Sequence, residues 1–321
     1  MVSVPRQATI CVLGGSGFVG SRLVARLAAS GHKLIVATRH APRAAHLRVL
    51  PTVSVITADI HEPQSLERLV AGCDVVVNLV GILNERGRDG SGFRQAHTEL
   101  TGSLVRAMAS GGGKLVQMSA LAADAKYGPS HYLRSKGAAE ALIREAAGLR
   151  WTILRPSVIF GPGDSFANRF ARLMNLLPGL FPLAMPGARF APVYVDDVIE
   201  AFEHAVQDDS TNGQVYELGG PEILTLREIV QQIARALDRR MLVIGLPQWL
   251  SRLQAAVMDF VPGKPFSTDN YHSLLVDSVP AADGFGQLGI HPQAFTALLP
   301  QSLDRLRART MLDQYRQTAG R

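Results

Sequence analysis

Two constellations in this chain carry residue types at spacings that can do chemistry. Gly14, Gly17 and Gly20 stand three apart, directly after the apolar run Ala8-Thr9-Ile10-Cys11-Val12-Leu13. The first glycine permits a tight turn and the second lets backbone N–H groups reach a pyrophosphate. The third lets a following helix pack closely on the strand. Tyr132 and Lys136 lie four apart, so on a helix over 131–145 both leave one face. There the ammonium would lower the phenol's pKa towards neutrality and hold a ribose, while the tyrosine passes a proton as a hydride moves. Ser119 closes an apolar run just upstream and is a third, weaker candidate, with a hydrogen bond at the strand end as its simplest role.

These groups need a scaffold that brings them to one edge, and the pattern supplies it. Apolar runs over 8–13, 33–38, 53–58, 73–80, 114–119 and 151–154 alternate with amphipathic stretches over 18–27, 63–71, 95–108 and 131–145. Strand and helix alternating through short connections give an α/β doubly wound parallel sheet, the Rossmann arrangement. Residues 1–160 read as the dinucleotide-binding domain. Residues 161–321 read as a smaller, interleaved α/β region for substrate or docking, some of whose segments return to the first core. The polar, glycine-bearing stretch 84–93 reads as a mobile loop. The stretch 170–190 is apolar but broken by Pro178, Gly179, Pro182, Pro186 and Gly187, and either covers an apolar ligand or simply packs. Asp196 and Asp197 open a helix, Thr225 caps another, and Leu303 to Tyr315 forms an amphipathic tail with Arg305, Arg307 and Arg309.

The second strand ends in Thr38-Arg39-His40, where an acid would bond the 2′-hydroxyl of NAD; no Asp or Glu occurs between Gly14 and Ala58. Arg39 offers a charged fork to a 2′-phosphate instead, with Arg43 one turn on, so the expected ligand is NADP(H) in preference to NAD(H).

Bulk properties remove other classes. The chain has 321 residues and a net charge of +6, but its 33 basic residues are scattered, with no stripe and no aromatic stacking platform for nucleic acid. Two cysteines, Cys11 and Cys73, exclude a disulfide framework, and nine histidines without paired ligand spacing give no metal site. No apolar run reaches the ~18 residues of a membrane helix. The expected location is cytoplasmic, with peripheral contact on the inner face of a membrane left open.

Further motifs carry a family likeness: Asp59-Ile60, Asn78-Leu79-Val80-Gly81, Leu154-Arg155-Pro156, Gly161-Pro162-Gly163-Asp164, Val195-Asp196-Asp197-Val198 and Tyr216-Glu217-Leu218-Gly219-Gly220. With the glycine triplet and Tyr132/Lys136 they resemble the short-chain dehydrogenase/reductase superfamily in its extended and atypical, epimerase/dehydratase-like branches. Met118-Ser119-Ala120 and Tyr132-Leu133-Arg134-Ser135-Lys136 look like the group that contains the nucleotide-binding accessory subunit of respiratory complex I and its bacterial relatives. That resemblance implies a tightly held, largely structural NADPH, peripheral association with a membrane respiratory complex, and a link to quinone metabolism. The alternative is an active NADP(H)-dependent oxidoreductase or epimerase on a hydrophobic carbonyl or quinone-like small molecule.

Carried onto this chain, the resemblance assigns Tyr132, Lys136 and Ser119 to chemistry. It assigns Gly14, Ser16, Gly17, Phe18, Val19, Gly20, Arg39, Asp59, Ile60, Leu79, Val80, Gly81, Lys136 and Pro156 to the dinucleotide. Two departures stand out. Extended members place a Ser or Thr where this chain has Leu121, and often an asparagine where it has His97.

Overall fold

Alternation along Thr9–Leu13 (β1) decides the architecture. Ile10 and Val12 join the apolar cluster on one face of the sheet, and Cys11 and Leu13 join the cluster on the other. A strand buried on both faces needs helices on both, and a parallel sheet provides them. In the computed structural model, which describes residues 7–109, 113–177 and 179–303, β1 is flanked by Lys33–Thr38 (β2) and Val53–Thr57 (β3) on one side. On its other side lie Val75–Asn78 (β4), Lys114–Met118 (β5) and Arg150–Pro156 (β6). A seventh strand, Gln214–Leu218, returns from the second half of the chain to pair with β6. The order is β3-β2-β1-β4-β5-β6 and then this last strand, with every neighbouring pair parallel. The doubly wound sheet expected from the alternation is thus the one observed.

Parallel pairing puts all the carboxyl ends at one edge: Leu13 lies opposite Asn78, Thr38 opposite Thr57, Asn78 opposite Gln117 and Met118 opposite Leu154. The chain reverses its direction of growth between β1 and β4, and the crevice outside that switch point is where such sheets bind ligands.

The helix Phe18–Ala29 (α1) buries Val19, Leu23, Val24 and Leu27 against the sheet and packs beside the later helix Val195–Gln207. Arg26 Nε meets Glu203 at 2.8 Å between them. Pro63–Val70 (α2) lies on the opposite face, with Leu66, Leu69 and Val70 buried. The helix expected over 95–108 starts earlier, as Ser91–Phe93 (α3). It continues through a π-helical stretch, Arg94–Glu99, into Leu100–Met108 (α4). His131–Glu145 (α5) has the bounds read from the sequence.

The second half of the chain builds a separate core, with Phe160, Met174, Phe181, Leu183, Ile229 and Phe295 among its buried members. Short strand pairs frame it: Ile159–Phe160 (β7) with Val193–Tyr194, Leu180–Leu183 (β8) with Leu242–Gly245, and Arg189–Phe190 (β9) with Leu224–Thr225. Ala167–Leu176 (α6) contributes Ala167, Ala171 and Met174 to this core, so of the two readings of 170–190 the packing one describes these side chains. Leu226–Ala236 opens on a capping box of Thr225 and Glu228. Among the described residues no helix is long and apolar enough to cross a membrane. Arg305, Arg307 and Arg309 of the expected tail lie outside the described residues.

Candidate functional site

The turn after β1 shows why its glycines are needed. Gly14 has φ +79°, in the left-handed region, and its Cα faces Leu79 and Val80 at the end of β4, where a Cβ would come within 3.1 Å of the Leu79 carbonyl carbon. Gly17 N donates to Gly14 O at 3.0 Å and opens α1. At Gly20 a Cβ would run into the Gly14 carbonyl oxygen and lie 2.7 Å from Gly15 Cα. The helix therefore begins directly after the turn at the carboxyl edge of the sheet, and no side chain caps its first-turn N–H groups. Leu79, Val80 and Gly81 follow β4 directly; Asn78 Oδ1 accepts from Val80 N at 3.1 Å and Asn78 Nδ2 donates to Gln117 at 2.9 Å, which fixes that strand end. Arg39 follows β2 and Asp59 follows β3, both exposed at the same edge. Asp59 Oδ1 accepts from His61 N at 3.0 Å, and Ile60 packs on the sheet. Pro156 ends β6, its carbonyl accepting from Leu121 N at 3.2 Å.

Tyr132 and Lys136 arrive at this edge because α5 starts under unusual control. Ser130 Oγ accepts from Leu133 N at 3.1 Å, and the Asp269 carboxylate accepts from His131 N at 2.7 Å and Tyr132 N at 3.2 Å. The first-turn donors of α5 are thus satisfied partly by a residue more than a hundred positions away. Asp269 sits on Thr268–Ser273, a short helix that also bonds back through Ser273 Oγ to Ser130 Oγ at 2.8 Å. No local signal around 131 announces this partner.

Lys136 is buried, and its Nζ donates to Met118 O at 3.0 Å. Burial pulls its pKa down to about 8, opposed by Glu140. Gly81 lies over this ammonium: a Cβ there would stand 3.4 Å from Lys136 Nζ and 3.5 Å from His97 Nε2. The expectation that Lys136 lowers the Tyr132 phenol is corrected here. Burial pushes Tyr132 up to about 12, with the Asp269 charge adding to it. Its ring is clamped edge-on by Phe93 at 6.0 Å and His97 at 5.5 Å.

His97 stands in the π-helical stretch, a feature that often marks functional positions. Ile82 N donates to its Nε2 at 3.1 Å, so Nδ1 carries the proton and donates to Ser135 Oγ at 2.8 Å, which donates to Tyr132 O at 2.8 Å. His97 therefore ties the β4 loop to α5. Burial, and then the Lys136 charge, lower its pKa to about 2.

This has a consequence for acid stability. In the unfolded chain His97 takes up a proton near 6.5, while in the folded state it refuses one down to about 2. The folded state thus loses up to about 1.4 kcal/mol per pH unit as pH falls below 6.5. Denaturant titrations of the wild type between pH 7 and 5 should show this slope, and His97→Asn should flatten it. His32, also lowered by burial, adds to the slope in the same direction.

Two other expectations change. Ser119 Oγ is buried without a hydrogen-bond partner, so it does not make the strand-end bond expected of it, although Ser119 N donates to Leu154 O at 2.7 Å. Nor does the 84–93 loop hang free. Glu85 accepts from Gly90 N and Gly92 N at 2.8 and 2.9 Å, and Lys264 Nζ donates to the carbonyls of Glu85, Arg86 and Gly87 at 2.8, 3.3 and 2.9 Å. A cavity of ≈ 270 Å³ lies between this loop, His131, Asp269 and Phe260.

The sheet order, the glycine turn and the strand-end residues find their counterpart in a family model, the NAD dependent epimerase/dehydratase family, which matches residues 10–219. The chain belongs to this family. A complex I protein of Arabidopsis thaliana, NADH dehydrogenase [ubiquinone] 1 alpha subcomplex subunit 9, is 31% identical over 281 residues, 84% of this chain and 68% of its own. Ceramide reductase of Caulobacter vibrioides is 31% identical over 191 residues, 60% of this chain and 58% of its own. Among solved structures, a double mutant of dTDP-glucose 4,6-dehydratase from Streptomyces venezuelae with NAD bound superposes with a TM-score of 0.71 at 21% identity, covering 92% of this chain and 95% of that one. Membership in the epimerase/dehydratase family brings dinucleotide binding with it. The turn around Gly14 and Gly20 and the glycine over Lys136 are of the shape this requires.

Proposed function

We propose that this protein holds NADP(H) as a resident ligand and serves chiefly as an accessory protein on a respiratory membrane assembly, associated peripherally with the inner face of the membrane. The observation that carries this reading is a complete cradle beside an incomplete reaction centre. Leu121, at the place where extended members present a hydroxyl, is a buried apolar side chain, and the Tyr132 phenol is held well above neutrality. The likeness to the Arabidopsis complex I protein supports the same reading.

In this reading the N–H groups of Gly14 to Gly20, with Ser16, Phe18 and Val19, hold the pyrophosphate. Asp59 and Ile60 meet the adenine, and Leu79, Val80, Gly81 and Pro156 line the nicotinamide half. Lys136 offers its ammonium to the ribose. A bound NADPH would supply a transferable hydride. Arg39 takes the 2′-phosphate, being exposed and free of any carboxylate among the described residues. Arg39→Ala should weaken NADPH by roughly 30-fold, the ~2 kcal/mol of a charge-assisted contact, and leave NADH unchanged in calorimetric titration. Equal loss for both nucleotides would contradict the NADP(H) assignment.

One observation favours a second reading, an NADP(H)-dependent oxidoreductase or epimerase acting on a hydrophobic carbonyl or a quinone. Ser119 keeps an unpartnered buried hydroxyl one residue from the carbonyl that Lys136 engages, as a donor for a reacting oxygen would. The likeness to ceramide reductase points the same way. Oxidation of NADPH by a carbonyl or quinone panel, lost on Tyr132→Phe, is the result that would favour it.

A further inference from the structure

The helix Gln248–Met258 turns an apolar face outward. Trp249, Leu253, Ala256 and Val257, with Phe260 just beyond, recur at the spacing of one helix face. Exposure is 67% at Trp249, 53% at Leu253, 59% at Val257 and 76% at Phe260. The opposite face is fastened to the lobe: Ser251 and Ala255 are buried, and Ser251 Oγ accepts from Met185 N at 3.2 Å and donates to Leu246 O at 3.3 Å. The stripe's outward orientation is therefore built in. Single exposed leucines are ordinary, but a contiguous stripe with an aromatic at each end marks an interaction surface.

Charge decides its occupant. From Arg239 to Lys264 the chain carries Arg239, Arg240, Arg252 and Lys264 against one acid, Asp259. That carboxylate is taken up by Thr268, whose N and Oγ1 donate to it at 3.2 and 2.7 Å. Arg252 is exposed on the same helix, and the Arg88 guanidinium stacks 3.9 Å from the Phe260 ring centre. Aromatic and aliphatic side chains fringed by Arg88 and Arg252, with the acids around the adjoining cavity, Glu85, Asp259 and Asp269, each accepting hydrogen bonds from within the protein, match the interfacial layer of an anionic bilayer.

We propose that the Trp249–Phe260 stripe is a docking face for the surface of an anionic lipid bilayer. It deepens the accessory-protein reading and rests on it for a membrane to meet. Ala256 and Phe260 also wall the ≈ 270 Å³ cavity that reaches Phe93, the ring set against Tyr132, so docking would present that cavity to the lipid.

The chain has two tryptophans, Trp151 in β6 and Trp249, and Trp151→Phe leaves Trp249 as the only reporter. With phosphatidylglycerol-containing vesicles its emission should shift to the blue and be quenched by brominated acyl chains, with little response to pure phosphatidylcholine. Should Trp151→Phe fold poorly, the wild-type protein and brominated lipid give the same reading over a constant Trp151 background. The double variant Leu253→Ser/Phe260→Ser should lose at least ~10-fold in vesicle affinity, and Arg252→Glu should weaken binding to the anionic vesicles alone. Both should keep the wild-type nucleotide content, so a wild-type protein that carries its nucleotide yet fails to dock overturns this proposal and leaves the NADP(H) reading standing. An unshifted Trp249, or equal binding to neutral and anionic vesicles, would overturn it. So would a dimer in sedimentation that the double variant dissolves, since that assigns the face to a second copy.

Discussion

Gly20→Val should abolish nucleotide binding and cost about 3 kcal/mol of stability. The added Cβ has no flexible neighbour to displace: it meets the Gly14 carbonyl oxygen and stands 2.7 Å from Gly15 Cα and 2.9 Å from the Gly15 carbonyl carbon. Relief requires α1 to lift from the turn, which moves the helix N-terminus away from the crevice. Thermal unfolding should fall by roughly 5–10 °C, and NADPH affinity by more than ~100-fold, beyond what the stability loss alone produces. Gly31→Ala is the matched control. Gly31 has φ +85° and open space around it, so alanine there costs strain of about 1 kcal/mol but leaves nucleotide affinity at the wild-type value. If both variants lose nucleotide alike, the turn is not the cradle.

The second large effect is expected at Glu140. This carboxylate is buried on α5 and accepts from Arg155 Nε at 2.8 Å, Arg155 Nη2 at 2.6 Å and Arg144 Nη2 at 2.9 Å. Glu140→Ala would leave the Arg155 guanidinium with Glu217 at 3.6 Å as its remaining acid. Breaking a buried pair on one side costs about 3 kcal/mol. Because Arg155 belongs to β6 and Glu140 to the helix that carries Lys136, nucleotide affinity should fall as well, through the loosened seat of α5. Glu140→Leu combined with Arg155→Met should recover most of the stability, since removing both charges leaves neither uncompensated. Chemical denaturation of the single and double variants checks this. Simple additivity of the two losses would show that the pair is not coupled.

What could be read from the chain, and what could not, divides along sequence distance. The glycine turn, the strands at the carboxyl edge and the bounds of α5 all follow from periodicities within a few residues, and the sheet aligned their ends as parallel pairing demands. The Asp269 cap of α5 was invisible because a carboxylate in the first turn of a later helix looks like an ordinary dipole partner of that helix. The π-helical stretch at His97 was hidden for a related reason: apolar spacing reports a helix but not one extra residue in a turn. The Tyr132 phenol went the opposite way from expectation because pairing at i, i+4 says nothing of burial. Lys136 turns its charge to Met118 O, while Asp269 and an apolar wall act on the ring. Gly90, at φ +79°, and the Lys264 bonds to three carbonyls likewise turned an apparently loose loop into a tethered one.

The most direct test of the central claim is to purify the full chain without added nucleotide, denature it, and identify by mass analysis what it releases. A resident, near-stoichiometric NADP(H), retained through purification and absent from Gly20→Val, is the predicted result. Release of NAD(H), or of no nucleotide from a protein that also fails to bind NADPH in titration, would contradict it.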